Sequence, residues 1–186
     1  GSDAGHAWIF HWDGSSWNQL GADIDGESGG DQSGISVSLS SDGNTIAIGA
    51  SYPGNNDGYR LGHARIYSWD GSSWNQLGAD IDGESSDDES GWSVVLNSDG
   101  SRVAISSRRN DDAGIDAGHV RVYEWDGNVW NQLGSDINGE SSGDQSGFSL
   151  SMNNTGNIVA ISSPWNDDNG TDYGKVKVFQ WDGCRH

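Results

Sequence analysis

Apolar residues in this chain come in short bursts divided by Gly, Ser, Asn and Asp, and no burst keeps a helical spacing of useful length. One type of burst is continuous: Ile46, Ala47 and Ile48, then Val103, Ala104 and Ile105, then Ile158 to Ile161. Consecutive apolar positions in a strand predict cover on both faces, as in sheets stacked face to face. Each burst follows a shorter alternating one across a glycine turn. Asp42-Gly43 and Asp99-Gly100 fill two of these turns and Asn154-Thr155-Gly156 the third. Such turns read as hairpins because glycine supplies the positive φ that they require.

The pattern is periodic. Trp-Asp-Gly begins at Trp12, Trp69, Trp125 and Trp181, with spacings of 57, 56 and 56 residues. A second tryptophan (Trp17, Trp74, Trp130) opens W-N-Q-L-G, and D-I-D/N-G-E-S follows. The one extra residue falls between Gly49 and Gly62, which marks that stretch as a loop. Each unit predicts four strands: A from Ile35 to Leu39, B from Thr45 to Ala50, C from His63 to Trp69, and D from Trp74 to Leu77.

The expected class is all-β: tandem four-stranded antiparallel blades of about 56 residues, of the β-propeller type. The array divides into a partial blade at 1–32 (C, D), blades at 33–89 and 90–145, and a partial blade at 146–186 (A, B, C). That makes three blades plus one strand, with open ends. The ends suit a longer protein, a ring closed by a second copy, or a filament of head-to-tail copies.

Composition narrows the partners. Twenty-eight acidic against nine basic residues give a net charge of −19, which disfavours nucleic acid and anionic membranes. Ten Trp, five Tyr and three Phe supply more apolar anchor than a disordered acidic chain carries. Cys184 is the only cysteine, so the fold rests on packing rather than on an intrachain disulfide. No apolar run reaches the roughly 20 residues that span a bilayer as a helix.

Three segments carry a family resemblance. Ser146 to Ser151 (S-G-F-S-L-S), Ile46 to Ala50 (I-A-I-G-A) and Gly62 to Tyr67 (G-H-A-R-I-Y) resemble the FG-GAP repeat of integrin α-subunit propellers. The whole W-D-G-S-S-W-N-Q-L-G-x-D-I-D-G-E unit is similar to FG-GAP-like repeats in surface proteins of marine microbes and algae. The resemblance implies a propeller and an extracellular or cell-surface setting. The calcium loop of that family, D-x-D-x-D-G, is cut here to S-S-D-G, N-S-D-G and N-N-T-G.

Candidate Ca²⁺ ligands lie elsewhere. One set follows strand D: Asp23, Asp25, Glu27 and Asp31, then Asp80, Asp82, Glu84 and Asp87, then Asp136, Asn138, Glu140 and Asp144. Oxygen groups at alternate positions beside a glycine are what a calcium loop requires. The B–C loops hold a second set: Asp57, then Asp111, Asp112 and Asp116, then Asp167, Asp168 and Asp172. The ordinary alternative for both is an Asx turn with solvated charge.

The paired tryptophans (Trp12, Trp17, Trp69, Trp74, Trp125, Trp130) and Trp181 recur at the blade period, which predicts a core or inter-blade packing role. Tyr52, Tyr59, Trp92 and Trp165 break the repeat and are the better candidates for ligand binding. His6, His63 and His119 recur as Gly-His, with Lys175 in the last copy. One per blade is too sparse for a metal triad, so a hydrogen bond to a neighbouring turn is expected. Asn153 and Asn169 head glycosylation sequons, and Arg108-Arg109 reads as a solvated pair. No nucleophile, metalloprotease or phosphate-loop motif is present. The expected function is therefore a non-enzymatic adhesion, binding or structural module. Its partners would be further blades, other copies, or a protein or glycan ligand, with a self-assembling filament or a lectin as alternatives.

Overall fold

A computed structural model of the chain describes residues 3–52 and 61–183. Asp57, Tyr59 and Cys184 lie outside the described residues.

The described residues form strands and turns without a helix. The first segment gives β1 (His6–Ala7), β2 (Phe10–Trp12), β3 (Trp17–Gln19) and β4 (Ile24–Asp25). The next gives β5 (Ser36–Leu39), β6 (Thr45–Ala50), β7 (His63–Trp69), β8 (Trp74–Gln76) and β9 (Ile81–Asp82). Its successor gives β10 (Ser90–Leu96), β11 (Arg102–Ser107), β12 (His119–Trp125), β13 (Trp130–Gln132) and β14 (Ile137–Asn138). The last holds β15 (Leu150–Met152), β16 (Ile158–Ser163) and β17 (Lys175–Gln180).

Two five-stranded sheets repeat one topology, β5-β6-β7-β8 with β9 also on β7, and β10-β11-β12-β13 with β14 also on β12. The order β15-β16-β17 continues it. Pairing between these strands is antiparallel, in a register that sets Ile48 opposite Arg65 and Trp69 opposite Trp74. The fourth strand of each unit is broken, a feature the sequence pattern did not predict. β8 pairs with the end of β7 and β9 with its start, and residues 77–80 bulge between them.

The bulge has a steric cause. Gly78 sits there at φ +75°, and a Cβ on it would lie 2.8 Å from the Trp125 ring of the next repeat. Gly21 stands in the same relation to Trp69 and Gly134 to Trp181. The glycine of W-N-Q-L-G is thus the seat for the tryptophan one repeat later.

Neighbouring sheets share their cores. Ala47, Ala64, Ile66 and Ile81 of one pack with Val94, Leu96, Val103, Ile105 and Tyr123 of the next. The same exchange joins Ala7, Ile9 and Ile24 to Ile46, Ile48 and Tyr67, and Ala104 and Val120 to Val159 and Ile161. This is why β6 and β11 are apolar at consecutive positions: alternate residues serve alternate neighbours. Val37 and Leu39 are exposed although their counterparts Val94 and Leu96 are buried.

The paired tryptophans sit at the sheet margins, where Trp74 and Trp130 pack against these buried cores. Trp69, Trp74, Trp125 and Trp130 are half-buried, as is Trp181, while Trp12 and Trp17 are exposed. Each pair is a cross-strand contact at the hairpin mouth, with ring centroids 5.3 to 5.6 Å apart.

Candidate functional site

The polar groups that recur gather where one sheet meets the next. Three devices are built there by the repeat itself. The first is the second tryptophan: Trp74 Nε1 donates to the Leu20 carbonyl at 2.8 Å, and Trp130 Nε1 to that of Leu77 at 2.9 Å. The second is the arginine two residues after Gly-His. Arg65 Nη2 donates to the Asp25 carbonyl at 2.8 Å, and Arg121 Nη2 to that of Asp82 at 2.7 Å. Their other Nη atoms face Glu27 at 3.6 Å and Glu84 at 3.3 Å.

The third device is a histidine and its carboxylates. Glu84, Asp112, His119 and Asp136 present ligand atoms within 4.8 Å of one another, and so do Glu27, His63 and Asp80. Topology explains the grouping. The histidine opens the third strand of its own repeat, one aspartate begins the D-I-D segment of that repeat, and the glutamate ends the same segment of the repeat before. Asp80 and Glu84, four residues apart, therefore belong to different groups.

His119 is fully buried, and neither ring nitrogen has a hydrogen-bond partner. Burial lowers its pKa to about 4, and the Arg121 charge acts the same way against the opposing pull of Asp136 and Asp112. The ring is neutral at pH 7, so the 3.7 Å approach of Nδ1 to Asp136 is neither a hydrogen bond nor an ion pair. His63 likewise has a buried Nε2 without a partner. The hydrogen bond to a turn expected of this position is not made by His119.

In the last repeat Lys175 takes the histidine position. Its ammonium donates to Glu140 at 2.5 Å and to Asp168 at 2.6 Å, and Lys177 also pairs with Glu140. Glu140 and Asp168 are the counterparts of Glu84 and Asp112.

The acidic candidates have further occupations, two aspartates of the histidine groups included. Asp23, Asp80 and Asp136 each accept from the glutamine four residues earlier, at 2.6 Å. Asp25 and Asp82 are exposed on β4 and β9 and lend their backbone carbonyls to the arginines. Asp111 and Asp167 cap their loops by accepting the backbone N–H of Asp116 and Asp172. The counterpart of Asp31 and Asp144 is buried Asp88 rather than exposed Asp87, since Asp88 and Asp144 both accept from a buried asparagine.

Two of the non-repeated aromatics converge. Trp92 donates through Nε1 to the Phe148 carbonyl at 3.1 Å, and Phe148 meets Trp165 edge to face at 5.0 Å. Arg108 lies 3.6 Å over the Trp92 ring and is held by Glu89 and Gln145. Arg108 is thus a packed residue and not a solvated one, and Arg109 shares Glu89 with it. Tyr52 is half-buried. Of the sequon asparagines, Asn153 spends its amide nitrogen on Thr155 and Asn157 within its hairpin, and Asn169 is exposed.

In comparisons with known proteins, no family model and no curated relative matches this sequence.

Proposed function

We propose that this chain is a non-enzymatic adhesion, binding or structural module built from FG-GAP-like propeller blades, acting outside the cell or at its surface. One observation carries the reading. The chemistry-bearing side chains recur once per repeat, and the recurring arginine and second tryptophan are spent on joining one sheet to the next. Trp130, Arg121 and Gly78 each act across such a junction. A catalytic centre asks instead for groups that converge once, in a polar cleft. The order of the S-G-F, I-A-I-G-A and G-H-A-R-I-Y motifs, strand by strand, supports the blade assignment.

A carbohydrate-binding reading has one specific support, the cluster of Trp92, Phe148 and Trp165 with Arg108. Trp165 of this group has no aromatic counterpart in the preceding repeat, where Arg109 stands, and is partly exposed. Glycan-array binding that W165A abolishes would favour it. Silence on the array, together with concentration-dependent assembly in light scattering, would favour a structural subunit. Turnover of any ester, phosphate or glycoside substrate by the purified chain would overturn the non-enzymatic reading.

A further inference from the structure

The geometry points to a divalent transition-metal site of the zinc type, formed by Glu84, Asp112, His119 and Asp136 at the junction of two repeats. Three observations support it. The first is the donor set: one imidazole and three carboxylates whose ligand atoms lie within 4.8 Å of one another. A zinc ion with bonds of about 2.0–2.1 Å holds tetrahedral ligands about 3.4 Å apart, so shifts on the order of 1 Å close the set. Glu84 and Asp112 are exposed side chains with room to move that far.

The second is His119 itself. A fully buried imidazole with both nitrogens unpartnered is costly unless something occupies a lone pair. A metal ion does so at once, and Asp136 beside Nδ1 or a carboxylate beside Nε2 completes its coordination.

The third is the chain's own substitution. In the last repeat Lys175 stands where His119 stands, and its ammonium sits between Glu140 and Asp168. The equivalent carboxylates, Glu84 and Asp112, face the His119 ring one repeat earlier. A cationic group is thus what the equivalent carboxylates already hold in the last repeat. The imidazole also selects among cations: Ca²⁺ and Mg²⁺ take oxygen ligands, whereas imidazole suits zinc, cobalt and nickel.

The test compares the full chain with its H119K variant, which copies the Lys175 arrangement and so keeps the carboxylates paired. Equilibrium dialysis against Zn²⁺, with Ca²⁺ in hundredfold excess, should leave the native chain with one more equivalent of zinc than H119K. Co²⁺ in place of Zn²⁺ should give an intense visible absorption in the native chain that H119K lacks. Equal zinc uptake by the two proteins would overturn the assignment, as would displacement of zinc by calcium. Should H119K fail to fold, D112N gives the same comparison through an exposed side chain. A tenfold or greater loss of zinc affinity is then expected, and unchanged affinity overturns the site.

Discussion

Trp130 and Leu77 lie in different repeats, and the indole Nε1 of the first donates to the carbonyl of the second at 2.9 Å. The same bond joins Trp74 to Leu20. An indole is well suited to this place, because its ring fills the sheet margin while its one polar atom reaches across.

Replacing Trp130 with Phe should therefore cost about 1 kcal/mol, the usual net value of one hydrogen bond. The same change at Trp17, which is 66% exposed, should stay within about 0.5 kcal/mol. Urea unfolding of the two variants beside the native chain measures both. Equal losses would mean that the hydrogen bond across the junction contributes nothing.

Gly78 and Gly71 separate backbone strain from collision. Both have positive φ, +75° and +99°, but only at Gly78 would a Cβ meet a ring, 2.8 Å away on Trp125. G71A should cost about 1 kcal/mol, the strain of a side chain in that region. G78A should cost that and a further 1–3 kcal/mol for overpacking. Thermal melts of the two variants decide it, and equal melting temperatures would remove Gly78 as the seat of Trp125.

Arg121 is almost wholly buried and supports both the Asp82 carbonyl and Glu84. R121M should cost about 2 kcal/mol by leaving that carbonyl without its donor, with the share from exposed Glu84 reduced by solvent screening. R121K should cost less, since Lys177 pairs with the equivalent Glu140 in the last repeat. Denaturant midpoints for the two variants, in that order, are the expected result.

The C–D hairpins predict an acid-sensitive stability. Asp70 accepts the backbone N–H groups of Ser73 and Ser72 and both serine hydroxyls, which holds its pKa well below the usual carboxylate value. Asp13 and Asp126 are held low by the same kind of bonds. A carboxylate with a depressed folded pKa stabilises fully above its unfolded pKa, near 4, and loses that contribution as pH falls below it. D70N, D13N and D126N together should therefore flatten the drop in melting temperature between pH 4 and pH 2. A drop as steep as in the native chain would show that these bonds do not bias folding.

Much of this fold was legible in the sequence because the period did the work. Three copies of Trp-Asp-Gly located the β2–β3, β7–β8 and β12–β13 hairpins, and the consecutive apolar residues of β6 and β11 announced cover on both faces. Two-residue strands such as β9 and β14 carry no period of their own, so the break in the fourth strand could be found only from the bulge at Gly78. The candidate site was half legible for a related reason. Glu84, Asp112 and their acidic neighbours stood out by type, but His119 was assigned a turn hydrogen bond. Its partners come from the repeat before and from the far end of its own, a proximity created by sheet packing. The replacement of His by Lys175 was the available signal, because a cation stands there beside conserved-in-register acids Glu140 and Asp168.

Ring-to-methyl nuclear Overhauser effects in the full chain test the central claim, that successive repeats are joined face to face through shared cores. Tyr123 should show contacts to the methyl groups of Ala64 and Ile66, and Tyr67 to those of Ala7 and Ile9, since each set shares one buried cluster. Cross-peaks confined within single repeats would contradict the account, leaving Trp130, Arg121 and the His119 group without a junction to hold.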